Sequence, residues 1–466
     1  MNNINRRRFL NRMAGTAVAL VWPHCTSEAR TASVGRQPNI IVILADDLGY
    51  GDLSCYGSER NKTPHLDALA AGGVRFTDFH SSGAVCSPTR AGLLTGRYQQ
   101  RCGITDVLFA AGDRNKGLPA SEITFARQLK AAGYATALFG KWHLGYSPKS
   151  NPVRFGFDRF RGYVSGNVDY ISHVDSTGAA DWWANAQLAP EEGYTTHLIT
   201  KHAVRFIENN KDRPFCLYVA HEAVHSPYQG PSDPAIRQVG SKATAAGRPK
   251  NIAAKYAEML GVMDEGIGQI AAALRRLDLE RETFIFFFSD NGATNAGSNG
   301  PLHGFKSSLW EGGHRVPAMA CWPGKIAPRL CDEPTICLDL FPTFLALANA
   351  EPPKDRPLDG VNLLPLLTEG KPLGERTLFW AAGQQRAVRQ GPWKLLMGIK
   401  DRGNQPGLFN LPNDLSEKQS LADKEPQRVQ AMRTALGAWE REVMPGGGER
   451  EKARGKSKKE KASDEL

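Results

Sequence analysis

Continuous apolar runs that stop abruptly at polar residues alternate, through the middle of this chain, with stretches in which apolar residues return every three or four positions. The run Asn39–Ala45 stops at Asp46 and Asp47, the pattern of a strand buried on both faces of a parallel sheet. Residues 74–79, 134–139, Phe215–Ala220 and Thr283–Ser289 repeat it, the last running into Asp290, Asn291 and Gly292. Helices are expected between them: one from Pro64 with Thr63 as its cap, one over 121–132 closed by Gly133, then Thr195–Asn209 and 252–277. Strands alternating with helices predict a layered α/β domain, whose site belongs at the carboxyl ends of the strands. Past Gly360 the strands shorten, over 377–380, 386–389 and 393–396, before an amphipathic helix at Pro426–Val443. This stretch is expected to form a smaller antiparallel subdomain. The sequence shows no internal repeat.

Composition and charge narrow the picture. A chain of 466 residues, 41% of them hydrophobic, is long enough for one large domain and a smaller one. The net charge of +10 is concentrated at the ends: residues 1–37 carry +5 and residues 446–466 carry +2, leaving +3 for the body. A weakly basic body accommodates an anionic substrate and argues against nucleic acid as the partner. Asn5-Arg6-Arg7-Arg8-Phe9-Leu10, followed by the apolar residues 13–22, resembles a twin-arginine export signal. Residues 1–35 are therefore set apart as a leader, with the twin-arginine machinery as an expected partner and a periplasmic or secreted location. The apolar run is too short for a stable membrane span, and Cys25 matches a lipoprotein site poorly. Residues 446–466, rich in Lys and Glu, are expected to be a disordered basic tail. That leaves 36–370 as the main domain and 371–445 as the smaller one.

The chemistry concentrates in residues 85–96. Ser87 reads as a helix cap, Pro88 as the first helical residue and Gly96 as the stop. Cys86 then lies at a helix N-terminus, where free N–H groups favour an anion. On those grounds alone it is either a thiolate nucleophile or a buried core cysteine. The full pattern, Cys86-Ser87-Pro88-Thr89-Arg90 continued by Ala91-Gly92-Leu93-Leu94-Thr95-Gly96-Arg97, resembles the signature of the type I sulfatases. In that family the cysteine is oxidised after synthesis to Cα-formylglycine.

Two further pairs, Asp46-Asp47 and Asp290-Asn291, end separate apolar runs, so a shared sheet would bring them together. Their oxygen donors suit a hard cation, Ca²⁺ or Mg²⁺, and not zinc. Gly140-Lys141-Trp142-His143-Leu144-Gly145, His225-Ser226-Pro227 and Gly304-Phe305-Lys306 match further family motifs in the expected order. The resemblance extends over about residues 38–395 and implies the alkaline-phosphatase-like fold: a large, mainly parallel mixed sheet between helices, plus a smaller C-terminal antiparallel sheet. It implies Asp46, Asp47, Asp290, Asn291 and an oxygen of modified Cys86 as ligands of one Ca²⁺ per subunit, with Mg²⁺ as the alternative. It also implies a formylglycine-generating enzyme as a maturation partner. In the family's chemistry the hydrated aldehyde at position 86 attacks sulfur, Lys141 and Lys306 neutralise the ester oxygens, and Arg90 holds the diol. His225 is the candidate acid for the leaving oxygen, with Lys306 as the alternative, and His143 is the candidate base.

The insert over 166–183 is polar and aromatic, so His173, Asp175, Trp182 and Trp183 are expected to contact substrate, together with His221 and His303. The competing reading of the tryptophans is local packing. Residues 297–301, 311–317 and 322–324 look closest to the arylsulfatase and N-acetylgalactosamine-6-sulfatase branch. The expected function is hydrolysis of a sulfate ester on a sulfated polysaccharide or glycosaminoglycan. Two alternatives stand beside it: a phosphate or phosphonate monoester hydrolase of the same superfamily, and an inactive carbohydrate-binding descendant with Cys86 unmodified. Without Cys25 and Cys86, six cysteines remain and allow fifteen pairings; Cys216, inside an apolar run, is expected as a core thiol.

Overall fold

The computed structural model describes residues 36–241 and 249–445. The leader expected over 1–35 and the tail expected over 446–466 lie outside the described residues. In chain order the strands are β1 Asn39–Ala45, β2 Val74–Phe76, β3 Phe79–His80, β4 Ala135–Lys141, β5 Arg159–Tyr163, β6 Trp183–Ala184, β7 Gln187–Leu188 and β8 Phe215–Ala220. They continue with β9 Thr283–Ser289, β10 Ala318–Cys321, β11 Arg329–Cys331, β12 Thr335–Ile336, β13 Thr377–Ala382, β14 Gln385–Gln390, β15 Trp393–Met397 and β16 Gly407–Asn410. Ten of them form one sheet in the order β11-β2-β10-β9-β1-β8-β4-β5-β6-β7. Its centre is parallel: β1 lies between β8 and β9, and β4 between β8 and β5. β10 runs antiparallel to β9 and β2, and β6 and β7 close the far edge antiparallel.

The continuous apolar strands are explained by what covers them. Ile41 and Ile43 of β1 face one apolar layer, and Ile40, Val42 and Leu44 face another. The first layer is closed by α1 Pro64–Ala71 through Leu66 and Leu69, by α4 through Leu198 and Ile199, and by α5 through Met259 and Leu260; α4 spans Thr195–Asn209 and α5 spans Ile252–Arg276. The second is closed by α2 Cys86–Thr95 through Leu93 and Leu94, and by α3 Phe125–Ala131 through Phe125 and Leu129. Each such side chain contributes about 1.5–3 kcal/mol on burial.

β13–β16 form the separate antiparallel sheet of four strands. The helix Pro426–Val443 lies on it, with Trp439 stacked on Phe379 at 5.2 Å between ring centroids. The apolar residues of this sheet, Leu378, Val388 and Leu395 among them, are continuous with the layer that contains α2. No helix among the described residues is long and apolar enough to cross a membrane. The seven cysteines among the described residues are all free, and Cys216 is fully buried.

Three local expectations are corrected. The strand expected over 74–79 is two: β2 joins the large sheet, whereas β3 pairs with β12. Between them Thr77 donates its N–H to the Cys331 carbonyl, and Asp78 turns inward to Arg315 and Arg389. The helix expected from Ser121 begins at Phe125, because Thr124 Oγ1 accepts the Arg127 N–H and caps it there. Ser87 is no cap either. The helix begins at Cys86 after an extended Val85, which makes Pro88 its third residue, and Ser87 Oγ accepts the Leu108 N–H instead. Gly96 does end it, in the left-handed conformation at φ 64°.

Candidate active site

The parallel strands at the centre of the sheet end along one rim. Ala45 pairs with Ser289, Leu44 with Ala220, and Ala220 with Gly140. Asp46 and Asp47 after β1, Asp290 and Asn291 after β9, His221 after β8 and Lys141 at the end of β4 are therefore neighbours by register alone. Gly140 makes this fit possible: its φ is 108°, and a Cβ there would lie 1.9 Å from the Ala220 carbonyl oxygen. Asp47 at φ 62° and His143 at φ 55° occupy the left-handed region, which non-glycine residues adopt at a cost.

Cys86, the first residue of α2, is buried opposite that rim. Its Sγ lies 3.8 Å from Asp46 Oδ1, and Lys306 Nζ lies 3.4 Å from the same sulfur. Lys306 also pairs with Asp47 Oδ1 at 2.5 Å, and Lys141 pairs with Asp46 Oδ2. One turn along α2, Arg90 bridges Asp46 Oδ2 at 3.2 Å and Asp290 Oδ2 at 2.9 Å while donating to the Lys141 carbonyl. Asn291 Nδ2 donates to Asp47 Oδ1 at 2.8 Å, and the Asp47 N–H points to Asp290 Oδ1. His225 Nε2 lies 3.6 Å from Asp47 Oδ2. His143 directs Nε2 to the Leu108 carbonyl at 2.9 Å, and its Nδ1 is buried without a partner.

Three carboxylates thus meet three permanent cations in a site from which water is largely excluded. Burial alone would raise the pKa of Asp46, but Lys141, His225 and Arg90 outweigh it and hold the carboxyl far below the usual range. Asp290 goes the other way, raised by burial and by the Asp46 charge beside it. Burial pushes the Cys86 thiol up to about 12 despite Lys141 and Lys306. The unmodified residue is consequently a poor thiolate nucleophile, and the helix N-terminus does not rescue it. Burial, Lys141 and Arg90 hold His143 well below its ordinary value, so its ring is neutral.

The donor set fits a hard divalent cation. Ligand atoms of Asp46, Asp47, Cys86 and His225 all lie within 4.8 Å of one another, and Asn291 Oδ1, on the amide whose Nδ2 donates to Asp47, is buried with no hydrogen-bond partner. An orphaned buried amide oxygen beside converging carboxylates is what an oxygen-ligated cation would satisfy.

The insert residues expected at the substrate contact one another instead. His173 stacks on Trp182 at 4.6 Å, Asp175 folds back on Thr177 and Ala179, and Trp183 Nε1 donates to Asp181, so the insert packs on itself. His221 is fully buried, with neither ring nitrogen hydrogen-bonded. His303 stacks on Trp310 at 4.1 Å. Sequence reasoning missed the support under Asp46 and Asp47. Asp52 accepts the Gly49 N–H at 2.9 Å, the Tyr256 hydroxyl at 2.6 Å and the Ser298 N–H at 3.0 Å, fixing the turn after β1. An aspartate three residues after a glycine in a tight turn was the available signal. Glu311, in the segment 311–317, belongs to a second buried cluster with His80, His314, Lys394 and Glu417.

Comparison with known proteins agrees with this geometry. The family model described as Sulfatase matches residues 38–350. N-acetylgalactosamine-6-sulfatase of Homo sapiens is 36% identical over 403 residues, covering 80% of this chain and 74% of that protein. Steryl-sulfatase of Mus musculus is 35% identical over 421 residues, covering 71% of this chain and 65% of that protein. Among solved structures, Ps i-CgsB in complex with k-i-k-neocarrahexaose superposes with a TM-score of 0.77 at 30% identity, covering 87% of this chain and 93% of that one. With the family model covering well over half of its length, the chain belongs to the sulfatase family of sulfuric ester hydrolases.

Proposed function

We propose that this chain hydrolyses sulfate monoesters on a sulfated carbohydrate, with residues 36–370 as the catalytic domain and 371–445 as a smaller subdomain. The observation that carries this reading is the placement of Cys86 between Lys306 and Asp46, against a rim whose orphaned Asn291 oxygen fits a cation. The relative named N-acetylgalactosamine-6-sulfatase and the k-i-k-neocarrahexaose in complex with Ps i-CgsB support a carbohydrate substrate. Asp46, Asp47, Asp290 and Asn291 would hold the cation, Ca²⁺ by donor type with Mg²⁺ as the alternative; when bound, it supplies positive charge to the ester oxygens. Formylglycine formed from Cys86 would supply an oxygen nucleophile where the thiol cannot serve.

The chain's own residues account for the rest. Lys141 and Lys306 stay protonated: burial works against the charge, but the carboxylates beside them outweigh it. They therefore neutralise an anionic ester without donating a proton to solvent. Arg90 is locked by two carboxylates and a carbonyl, so it orients residue 86 rigidly. Because His143 Nε2 faces a carbonyl, that nitrogen carries the proton and Nδ1 is left as an acceptor, the state a base requires. His225 Nδ1 faces the Ser226 carbonyl at 2.5 Å, so Nε2 is the atom that would deliver a proton to the leaving oxygen. Burial lowers the His225 pKa and outweighs Asp47, which favours the charged ring that this needs, and this leaves Lys306 as the alternative acid. Maturation by a formylglycine-generating enzyme, twin-arginine export and a periplasmic or secreted location complete the proposal, on the motifs at Cys86 and Arg6-Arg7.

Mass spectrometry of the tryptic peptide 76–90, from protein co-expressed with a formylglycine-generating enzyme, tests the modification. Thiol-to-aldehyde conversion, with aryl sulfate turned over faster than aryl phosphate, supports the proposal. An unmodified thiol together with activity that survives Cys86→Ala overturns the formylglycine mechanism, and a preference for aryl phosphate overturns the substrate class.

A further inference from the structure

A cavity outside the rim opens toward the other end of the same strands. It encloses about 860 Å³ between β4, β5 and α4. Lys141 ends β4, whereas this cavity is lined from Tyr134 and Ala135 at the start of the strand as far as Phe139. The two ends are separated by roughly 20 Å of extended chain. Five cationic side chains line the cavity, Lys130, Arg159, Arg161, Arg205 and Arg213, against a single carboxylate, Asp158. That imbalance is local, since formal charge over the body of the chain amounts to only +3.

Partnering within the cavity sharpens the point. Lys130 is neutralised by Asp158 at 2.6 Å, and Arg161 by Glu191 at 2.7 Å. Arg213 donates to the Gly133 carbonyl at 3.3 Å. Arg159 and Arg205 are exposed, and neither enters an ion pair or side-chain hydrogen bond among the described residues. The floor is rigid and apolar, made by the buried rings of Tyr134, Phe139, Phe160 and Phe206. Asn185 and Asn209 add amides to the wall. Planar guanidinium groups above a fixed floor present paired donors to oxyanions, and amides beside them suit hydroxyl groups.

We propose that this cavity is a second, non-catalytic anion site that holds a sulfate group of a glycan chain through Arg159 and Arg205. The choice of a glycan as the carrier rests on the substrate reading above; the oxyanion chemistry does not. A polymer held there would be retained near the enzyme between turnovers, so the site would act on polymeric and not on small substrates.

The test uses isothermal titration of the Cys86→Ala protein with a chondroitin 6-sulfate hexasaccharide at low ionic strength. Two binding events are expected, one of them at least tenfold weaker in the R159Q/R205Q double variant and weakened in both proteins by added salt. Equal affinity in the double variant overturns the site. Inorganic sulfate that fills it at the same concentration as the hexasaccharide, or a DNA oligonucleotide of equal charge that binds as tightly, overturns the glycan assignment. With Cys86 intact and matured, R159Q/R205Q should keep aryl sulfate turnover within about twofold while its KM for the sulfated polymer rises. Loss of aryl sulfate activity from the unsubstituted enzyme would sink the catalytic reading instead, and the titration would remain readable.

Discussion

At the scale of single residues, the charge balance around Cys86 is what a substitution would disturb. Lys306 touches both the sulfur and Asp47, and no other lysine among the described residues does so. Lys306→Ala should lower kcat for an aryl sulfate by about 10²–10³-fold, the cost of losing one preorganised donor, while the circular dichroism spectrum is retained. Arg90 is different in kind because it is fully buried between two carboxylates. Arg90→Ala would leave those charges unpaired and should destabilise the fold by about 3–5 kcal/mol, read as a lower urea midpoint. A variant that kept both its midpoint and its activity would show that Arg90 holds nothing together.

At the scale of elements, two polar junctions do what the apolar layers cannot, which is to fix orientation. The first joins the small sheet to the main one. Lys394 of β15 pairs with Glu311 at 2.9 Å and Glu417 at 2.8 Å, and its Nζ lies 3.3 Å from His314 Nε2. His314 in turn meets His80, and His80 meets Asp78. Lys394→Met removes the one cation among the described residues that pairs with both Glu311 and Glu417, leaving Arg315 and Arg389 on Glu311 and Asp78, and a stability loss of about 3–5 kcal/mol is expected in urea unfolding. The second junction is Glu191, which ties the insert to β5 and α4 through Arg161, Lys201 and His202. Burial would raise its pKa, but hydrogen bonds from Lys201, His202 and Arg161 outweigh this and hold it well below the carboxylate range. A depressed folded value contributes stability above the unfolded value of 4.5 and loses it as pH falls through the folded one. The urea midpoint should therefore drop less steeply below about pH 4.5 in Glu191→Gln than in the parent; parallel curves would refute the assignment.

At the scale of the whole molecule, the rim balances three carboxylates with three cations before any divalent ion enters. Binding such an ion leaves the site net positive, which suits an anionic ester. A ligand that binds only the folded chain raises stability by about 2.7 kcal/mol at a hundredfold excess over its Kd. Ca²⁺ added to chelator-treated protein should raise Tm and restore turnover, and Asp46→Asn should abolish the rise. A Tm that is indifferent to both chelator and Ca²⁺ would count against a resident cation.

Much of this was legible in the residues themselves. Apolar runs buried on both faces identify β1, β8 and β9 because a doubly covered strand has no polar face to obscure its length. The ends of α4 and of the C-terminal helix follow from periodicity in the same way. Cys86, the two acidic pairs and the Lys141, His143, His225 and Lys306 motifs stood out as candidates because the chemistry expected of them demands particular residue types. Start signals were less reliable: Ser87 resembles a cap, yet its hydroxyl accepts the Leu108 N–H, and the helix expected from Ser121 begins only after the Thr124 cap; a hydroxyl's partner is settled by three-dimensional neighbours. Only the tertiary structure decided that β9, β1, β8 and β4 lie side by side, which turns residues more than two hundred positions apart into one cluster. It alone also packed Trp182 and His173 into the insert and gathered five cations around one cavity. Periodicity records which face of an element is covered, whereas the identity of the covering neighbour depends on how the whole chain satisfies its buried polar groups at once.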